Sequence, residues 1–156
     1  MRTPTLTTAT LIGVALSYQL NAMQPDEAFV NAVSVVESNN NPKAVGDNGR
    51  AVGPFQFWEI AWRDVSENYR EPRGLVVWPY SKAKDLNASK VYAVNFFDLQ
   101  RLRFKKATRR EPTARDLYAL FNLGFEGYKR REFDINKCPK ITQRAADRVV
   151  TLMGGK

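Results

Sequence analysis

The sequence predicts a mainly helical domain of α+β type with one small β-hairpin near residues 44–53. Apolar side chains recur at three- and four-residue intervals in several separate stretches, the period of a helix with one buried face. Helix-start and helix-stop residues bracket most of these stretches. The β signal is local: Asp47-Asn48-Gly49 is a tight-turn sequence between Ala44-Val45 and Ala51-Val52.

The first helix is expected over about 25–37. Pro25 suits a position whose N–H has no intrahelical partner, Asp26 and Glu27 sit on the positive end of the dipole, and Phe29, Val33 and Val36 share a face. The turn-rich stretch 39–53 follows and holds the hairpin. Trp58, Trp62, Val65 and Tyr69 then step by four, three and four, an aromatic stripe read as the core face of a second helix in preference to a sugar-stacking face, and Glu71-Pro72-Arg73-Gly74 ends that helix. The run Val76-Val77-Trp78-Pro79-Tyr80 suits a packed loop better than a central strand, with Trp78 or Tyr80 as candidate cleft-lining residues. A third helix over about 82–107 turns Tyr92, Phe96 and Leu99 inward, with Leu102 and Phe104 assigned to the same core face. Its end is basic: Arg101, Arg103, Lys105, Lys106, Arg109 and Arg110 match the negative end of the dipole and read as a solvated face. Thr113-Ala114-Arg115-Asp116 is a capping start for a fourth helix, with Leu117, Leu120 and Phe121 inward and Gly124 as its stop. Ile141-Thr142 opens the last helix, which runs through Val149, Val150 and Met153 to Gly154-Gly155.

At 156 residues, with 44% hydrophobic and 12% aromatic content, the chain is expected to form one domain with a substantial core. The net charge of +8 favours polyanions in general, including nucleic acid, anionic lipid and the acidic polymers of a bacterial envelope. Only this charge and the 101–110 cluster speak for nucleic acid, and the signal-like N-terminus argues against it, so none is expected as a partner. Histidine is absent and Cys138 is the single cysteine. Disulfide frameworks, zinc sites built on Cys or His, and Ser-His-Asp or Cys-His catalysis are thereby excluded. Chemistry must run on carboxylates, hydroxyls, amides, Lys or Arg, and no metal or organic cofactor is implied. Cys138, beside Pro139 and without a visible activating partner, reads as a packing residue.

Arg2 and the apolar run from Ala9 to Leu16, followed by Leu20-Asn21-Ala22, read as a secretory signal peptide over residues 1–22. A domain of residues 23–156 would then be exported to the periplasm or the extracellular space. The apolar run is about half of the roughly 20 residues a membrane span requires. No stable span is expected, and an uncleaved anchor is the alternative.

Glu37 is the catalytic candidate. It closes the first helix, facing the negative end of the dipole, and apolar Val33, Val35 and Val36 precede it. Both influences disfavour its ionised form, and a raised pKa is what a general acid needs at neutral pH.

Singly, the motifs around Glu37 are unspecific, but their order is informative. The succession Glu37-Ser38, Asn41-Pro42-Lys43-Ala44-Val45, Gly53-Pro54-Phe55-Gln56, Phe121-Asn122-Leu123-Gly124 and a terminal Thr142…Ala146…Val149 helix resembles the soluble lytic transglycosylase family of the lysozyme superfamily. The resemblance covers about residues 27–153. It implies a monomeric, lysozyme-like helical domain whose cleft binds peptidoglycan glycan strands. The expected reaction cleaves the bond between N-acetylmuramic acid and N-acetylglucosamine and closes a 1,6-anhydro ring on the muramic acid. It further implies Glu37 as the catalytic acid, and substrate-binding roles for Ser38, Phe55, Gln56, Asn122 and Tyr128. Gln56 and Asn122 suit equally well the role of amides that tie loop backbone together. The chain departs from the family pattern at Pro54-Phe55, where Leu-Met is usual, at Phe121, where tyrosine is customary, and at Gly46, where a substrate-contacting serine is common.

Two other readings stand beside this one. A lysozyme-type hydrolase needs a second carboxylate, for which Asp47 and Asp64 are the candidates. Asp47 equally suits a turn former, and Asp64 is expected to be exposed on its helix. The other is a non-catalytic cell-wall-binding protein, such as a virion or secretion-apparatus component, that keeps the cleft without the activity.

Overall fold

The computed structural model describes residues 26–154. The expected signal peptide, Pro25 and Gly155 lie outside the described residues. Among these there are five α-helices, α1 (Glu27–Ser38), α2 (Glu59–Arg73), α3 (Leu86–Thr108), α4 (Ala114–Lys129) and α5 (Lys140–Met153). Strands β1 (Val45–Gly46) and β2 (Ala51–Val52) form a two-stranded antiparallel sheet in which Val45 faces Val52 and Gly46 faces Ala51. The architecture is the mainly helical one, with a small hairpin, that the sequence predicts. No described helix is long and apolar enough to cross a membrane.

Asp26 caps α1 by accepting from the Ala28 N–H at 3.0 Å. At the other end Asn39, in the left-handed region at φ 55°, donates its N–H back to the carbonyls of Ser34 and Val35. Phe29, Val30 and Val33 bury the inward face of this helix, which packs against α5 and α3. The hairpin turn uses positive φ at Asp47, Asn48 and Gly49, a conformation that Asn, Asp and Gly tolerate best.

Two expected boundaries shift. Trp58 is the N-cap of α2 and is 38% exposed, so the buried aromatic stripe begins at Trp62 and continues through Val65 and Tyr69. The third helix starts at Leu86, because Asp85 caps it by accepting from the Ala88 N–H at 2.9 Å, and Tyr80–Lys84 forms a separate 3-10 turn.

Leu102 is 47% exposed while Phe104 is fully buried. The expectation that both lie on the core face fails for a geometric reason: a two-residue step on a helix turns about 200°, placing them on opposite sides. Gly124 does not end α4. Its φ of 70° and ψ of 165° break the helical path, and the chain resumes helical geometry to Lys129. The Thr113–Asp116 capping box at the start of α4 is formed in both directions.

The core is largely aromatic. Trp62 stacks on Tyr92 with centroids 3.6 Å apart, and Phe57 meets Trp62, Phe96 and Phe121 edge-on at 5.6–6.0 Å. A second cluster gathers Phe104, Ala119, Leu120, Tyr128 and Cys138 on the other side of α4. Cys138 is a buried, unpaired thiol there, and burial raises its pKa, so it serves as packing. Trp78 and Tyr80 support the core and do not enter the cleft. Trp62 Nε1 donates to the Trp78 carbonyl at 2.9 Å, and the Tyr80 hydroxyl lies 2.6 Å from the Phe57 carbonyl and 2.9 Å from that of Arg50. Gly53, at φ 77°, lets the loop after β2 press against the Tyr80–Lys84 turn, where a Cβ would lie 1.9 Å from the Ala83 carbonyl oxygen.

The basic end of α3 is largely paired. Arg101 bonds Glu111 and Asp98, Arg103 bonds Asp64, Lys105 bonds Glu111, and Arg110 bonds Asp116. These pairs tie α3 to α2 and to the start of α4.

Candidate active site

A cleft of about 1030 Å³ opens between the end of α1, the hairpin, α2, α3 and the second half of α4. Glu37 lies in it, half-buried. The Tyr118 hydroxyl, from the first half of α4, donates to Glu37 Oε1 at 2.8 Å. No other described residue hydrogen-bonds this carboxyl. Burial raises the Glu37 pKa most, the Tyr118 hydrogen bond opposes it, and the negative charge of Asp47 adds to it, leaving the carboxyl above its ordinary 4.5. The direction matches the sequence-based expectation, but the dominant cause is enclosure in the fold. Tyr118 is itself pushed far above its ordinary 10.0 by burial and by Glu37, so it remains a donor.

Tyr118 is the residue that sequence reasoning missed. It stands in the apolar run Leu117-Tyr118-Ala119-Leu120, where it reads as core. A signal was present nonetheless: Tyr118 lies four residues before Asn122, so the two share a helix face.

Gln56 and Asn122 both line the cleft, and both also tie backbone or side chains together. Gln56, at φ 50°, donates Nε2 to the Gly53 carbonyl at 2.9 Å. Asn122 Oδ1 accepts from Thr142 Oγ1 of α5 at 2.8 Å, and its amide nitrogen has no partner among the described residues. Of the two roles the sequence left open for these amides, the structure permits each.

Ser38, Phe55 and Tyr128 are not brought to the cleft, which corrects their expected substrate-binding roles. Ser38 Oγ donates to the Pro54 carbonyl at 2.8 Å and accepts from the Asn41 N–H at 3.0 Å, fastening two loops. Phe55 is 1% exposed, packed in the core beside Phe57. Tyr128 is fully buried in the second cluster, where its hydroxyl donates to Asp116 Oδ1 at 2.6 Å. The break at Gly124 separates Tyr128 from the helical face that carries Tyr118 and Asn122.

Asp47 lines the cleft, and its Oδ2 accepts from Trp58 Nε1 at 3.0 Å. Asp64 also borders the cleft, but it is half-buried and not exposed as expected: Arg103 engages its two oxygens at 2.6 and 2.9 Å. Phe121 presents an edge to the cleft and is held by Phe57, Phe96 and Phe97. At Gly46 a Cβ would lie 2.5 Å from Gln56 Oε1, so the Gln56 amide fills the room that a serine side chain would need. Among the described residues no group of three or more Cys, Asp or Glu is gathered to hold a metal ion.

The chemistry available is that of a partly enclosed carboxyl with a fixed phenol donor, in an open cleft that is also lined by the carboxyls of Asp47, Asp64, Glu67 and Glu126, by the amides of Gln56 and Asn122 and by aromatic rings. No model of a known protein family matches the chain, and no curated protein matches it as a relative.

Proposed function

We propose that this protein is a peptidoglycan lytic transglycosylase in which Glu37 acts first as general acid and then as general base. One observation carries the reading: a carboxyl held by a single hydrogen bond from Tyr118 stands in a cleft of about 1030 Å³, and burial keeps it inclined to hold its proton. A cleft of that size suits an extended polymer, and a carboxyl that holds its proton can act as the acid and then, once ionised, as the base of a reaction that needs no second carboxylate.

In this reaction Glu37 gives its proton to the oxygen bridging muramic acid to N-acetylglucosamine, and the bond from the muramic anomeric carbon to that oxygen breaks. The Glu37 carboxylate then takes the proton of the muramic acid's own 6-hydroxyl, and the 6-oxygen bonds to the anomeric carbon. Water is neither consumed nor released, and Glu37 ends protonated as it began. Tyr118 supports both halves: its hydroxyl fixes Oε1, leaving Oε2 for proton transfer, and its hydrogen bond stabilises the carboxylate formed midway. Gln56 and Asn122 line the same cleft and offer amide groups to the sugar substituents. We further propose that residues 1–22 direct export, since this substrate lies outside the cytoplasm.

A hydrolase reading rests on Asp47, which lines the same cleft and is near enough to raise the Glu37 pKa. Against it, Asp47 Oδ2 is already engaged by Trp58. The second candidate, Asp64, is taken up by Arg103.

The test is incubation of the protein and its Glu37→Gln variant with purified peptidoglycan, followed by mass spectrometry of the soluble products. Anhydro-muropeptides from the wild type alone support the proposal. Products heavier by one water move the reading to a hydrolase, and a folded protein that binds the wall without releasing products moves it to a wall-binding role.

A further inference from the structure

We infer that Trp58 is a saccharide-stacking platform of the cleft, and that Asp47 is the positioning residue that locks its ring beside Glu37. This inference rests on the glycan-cleaving reading above and adds to it a specific subsite.

An exposed tryptophan is not informative by its exposure alone. What distinguishes Trp58 is that it is exposed in the cleft and yet immobilised. Its Nε1 donates to Asp47 Oδ2 at 3.0 Å, and the Arg50 guanidinium lies 4.6 Å from the ring centroid, over one face. Arg50 is in turn bound to Asp47: its backbone N–H and its Nε donate to the Asp47 carbonyl at 3.3 and 3.2 Å. The Tyr80 hydroxyl reaches the Arg50 carbonyl at 2.9 Å and ties this assembly to the core. One residue, Asp47, therefore fixes the edge of the indole through its side chain and the cation behind the ring through its backbone.

Trp58 lines the cleft and Arg50 does not, so the cation backs the ring and the opposite face is the one offered to a ligand. The electron-rich face of an indole attracts the C–H-lined face of a pyranose, and Arg50 cannot compete for a face it does not cover. A ring already held in place loses no rotamer freedom on binding, which is the advantage of preorganisation. The core has no need of this ring, because the stripe of α2 that is buried begins at Trp62. Asp47 also borders Glu37 electrostatically; the titratable groups acting on Glu37 are Tyr118 from α4 and Asp47 from the hairpin turn.

The experiment uses the full chain carrying Glu37→Gln, so that sugar is bound without turnover, and the β-1,4-linked hexamer of N-acetylglucosamine as probe, with affinity measured calorimetrically. Trp58→Ala is expected to weaken binding about ten-fold or more, and Trp58→Tyr to restore most of it, since a phenol ring keeps a stacking face. Asp47→Ala, which frees the ring, is expected to weaken binding several-fold. Asp47→Asn keeps an oxygen acceptor for the indole N–H and is expected to hold affinity within about two-fold. Placed in the active protein, Asp47→Asn removes a charge that raises the Glu37 pKa, so the alkaline fall of activity moves to lower pH while KM changes little. If the parent binds the hexamer and folded Trp58→Ala binds it equally well, the platform is refuted and the glycan reading stands. If the parent binds neither the hexamer nor intact sacculi, the glycan reading fails and takes this inference with it.

Discussion

Replacing Tyr118 by phenylalanine removes the one hydrogen bond that a described residue makes to Glu37, with almost no change of shape. A hydrogen bond to a neutral carboxyl contributes about 1 kcal/mol and one to an ionised carboxylate about 1.5–3 kcal/mol. The substitution therefore costs about 1 kcal/mol while Glu37 is protonated and about 1.5–3 kcal/mol once it is ionised. The difference, about 0.5–2 kcal/mol, is a roughly two- to thirty-fold weaker ionisation of Glu37. Its pH dependence follows from the raised pKa. The unfolded chain loses the Glu37 proton near 4.5 while the folded protein still holds it, so the stability due to this group is complete below 4.5 and declines as pH rises through the folded value. Tyr118→Phe moves the end of that decline to higher pH and deepens it. The assay is urea denaturation across pH for the wild type, Tyr118→Phe, Glu37→Gln and the double variant. In the Glu37→Gln background the decline should vanish, and the cost of Tyr118→Phe should become independent of pH. A cost that is pH-independent with Glu37 present, or larger in acid than at neutral pH, refutes the assignment of Tyr118 as the donor that stabilises the carboxylate.

Three further outcomes test the surroundings of the cleft. Tyr128→Phe breaks the bond to Asp116, whose carboxyl is raised by burial but held net below its ordinary 3.8 by the bonds from Arg110, Tyr128 and Thr113. It should cost about 1.5–3 kcal/mol at neutral pH, a cost that shrinks as pH falls through the depressed value, while turnover of peptidoglycan is retained. Gly46→Ser should displace the Gln56 amide and its bond to the Gly53 carbonyl, lowering stability by about 1 kcal/mol. A double-mutant cycle with Gln56→Ala should show the serine costing less once the amide is gone. Gly53→Ala drives a Cβ into the Ala83 carbonyl at an unfavourable φ, with rigid backbone on both sides, and should cost more than about 4 kcal/mol, read as loss of cooperative unfolding.

What the sequence revealed and what it hid divide along the range of the interactions. Asp26, the Asp47-Asn48-Gly49 turn and the Thr113–Asp116 box act within a few residues of themselves, and each appears where local chemistry placed it. Glu37 was legible because its neighbours along the chain already disfavour its charge. Gly124 was half-legible: a glycine advertises freedom of backbone, but only the packing of the second cluster determines that the helix changes direction there and continues. Tyr118 and Tyr128 lie on either side of the break at Gly124, and their exchange of roles depends on which side residues 130–138 fold against, a long-range fact. Ser38 and Phe55 adjoin Glu37 and Gln56 in their motifs, yet neighbours in sequence point to different sides, so one of each pair reaches the cleft and the other braces it. Trp58 kept the spacing of the stripe but fell just outside the helix that gives such spacing its meaning.

The hairpin described above has strands of only two residues each, and its first strand and turn carry no buried apolar side chain. Its ladder is too short to hold itself closed, so its attachment depends on crossing ties such as the Tyr80 hydroxyl on the Arg50 carbonyl. Glu37 and Tyr118, by contrast, are mounted on helices whose inner faces are sealed in the core. Amide protons of residues 45–50 are therefore expected to exchange with solvent faster than those on the inner faces of α1 and α4.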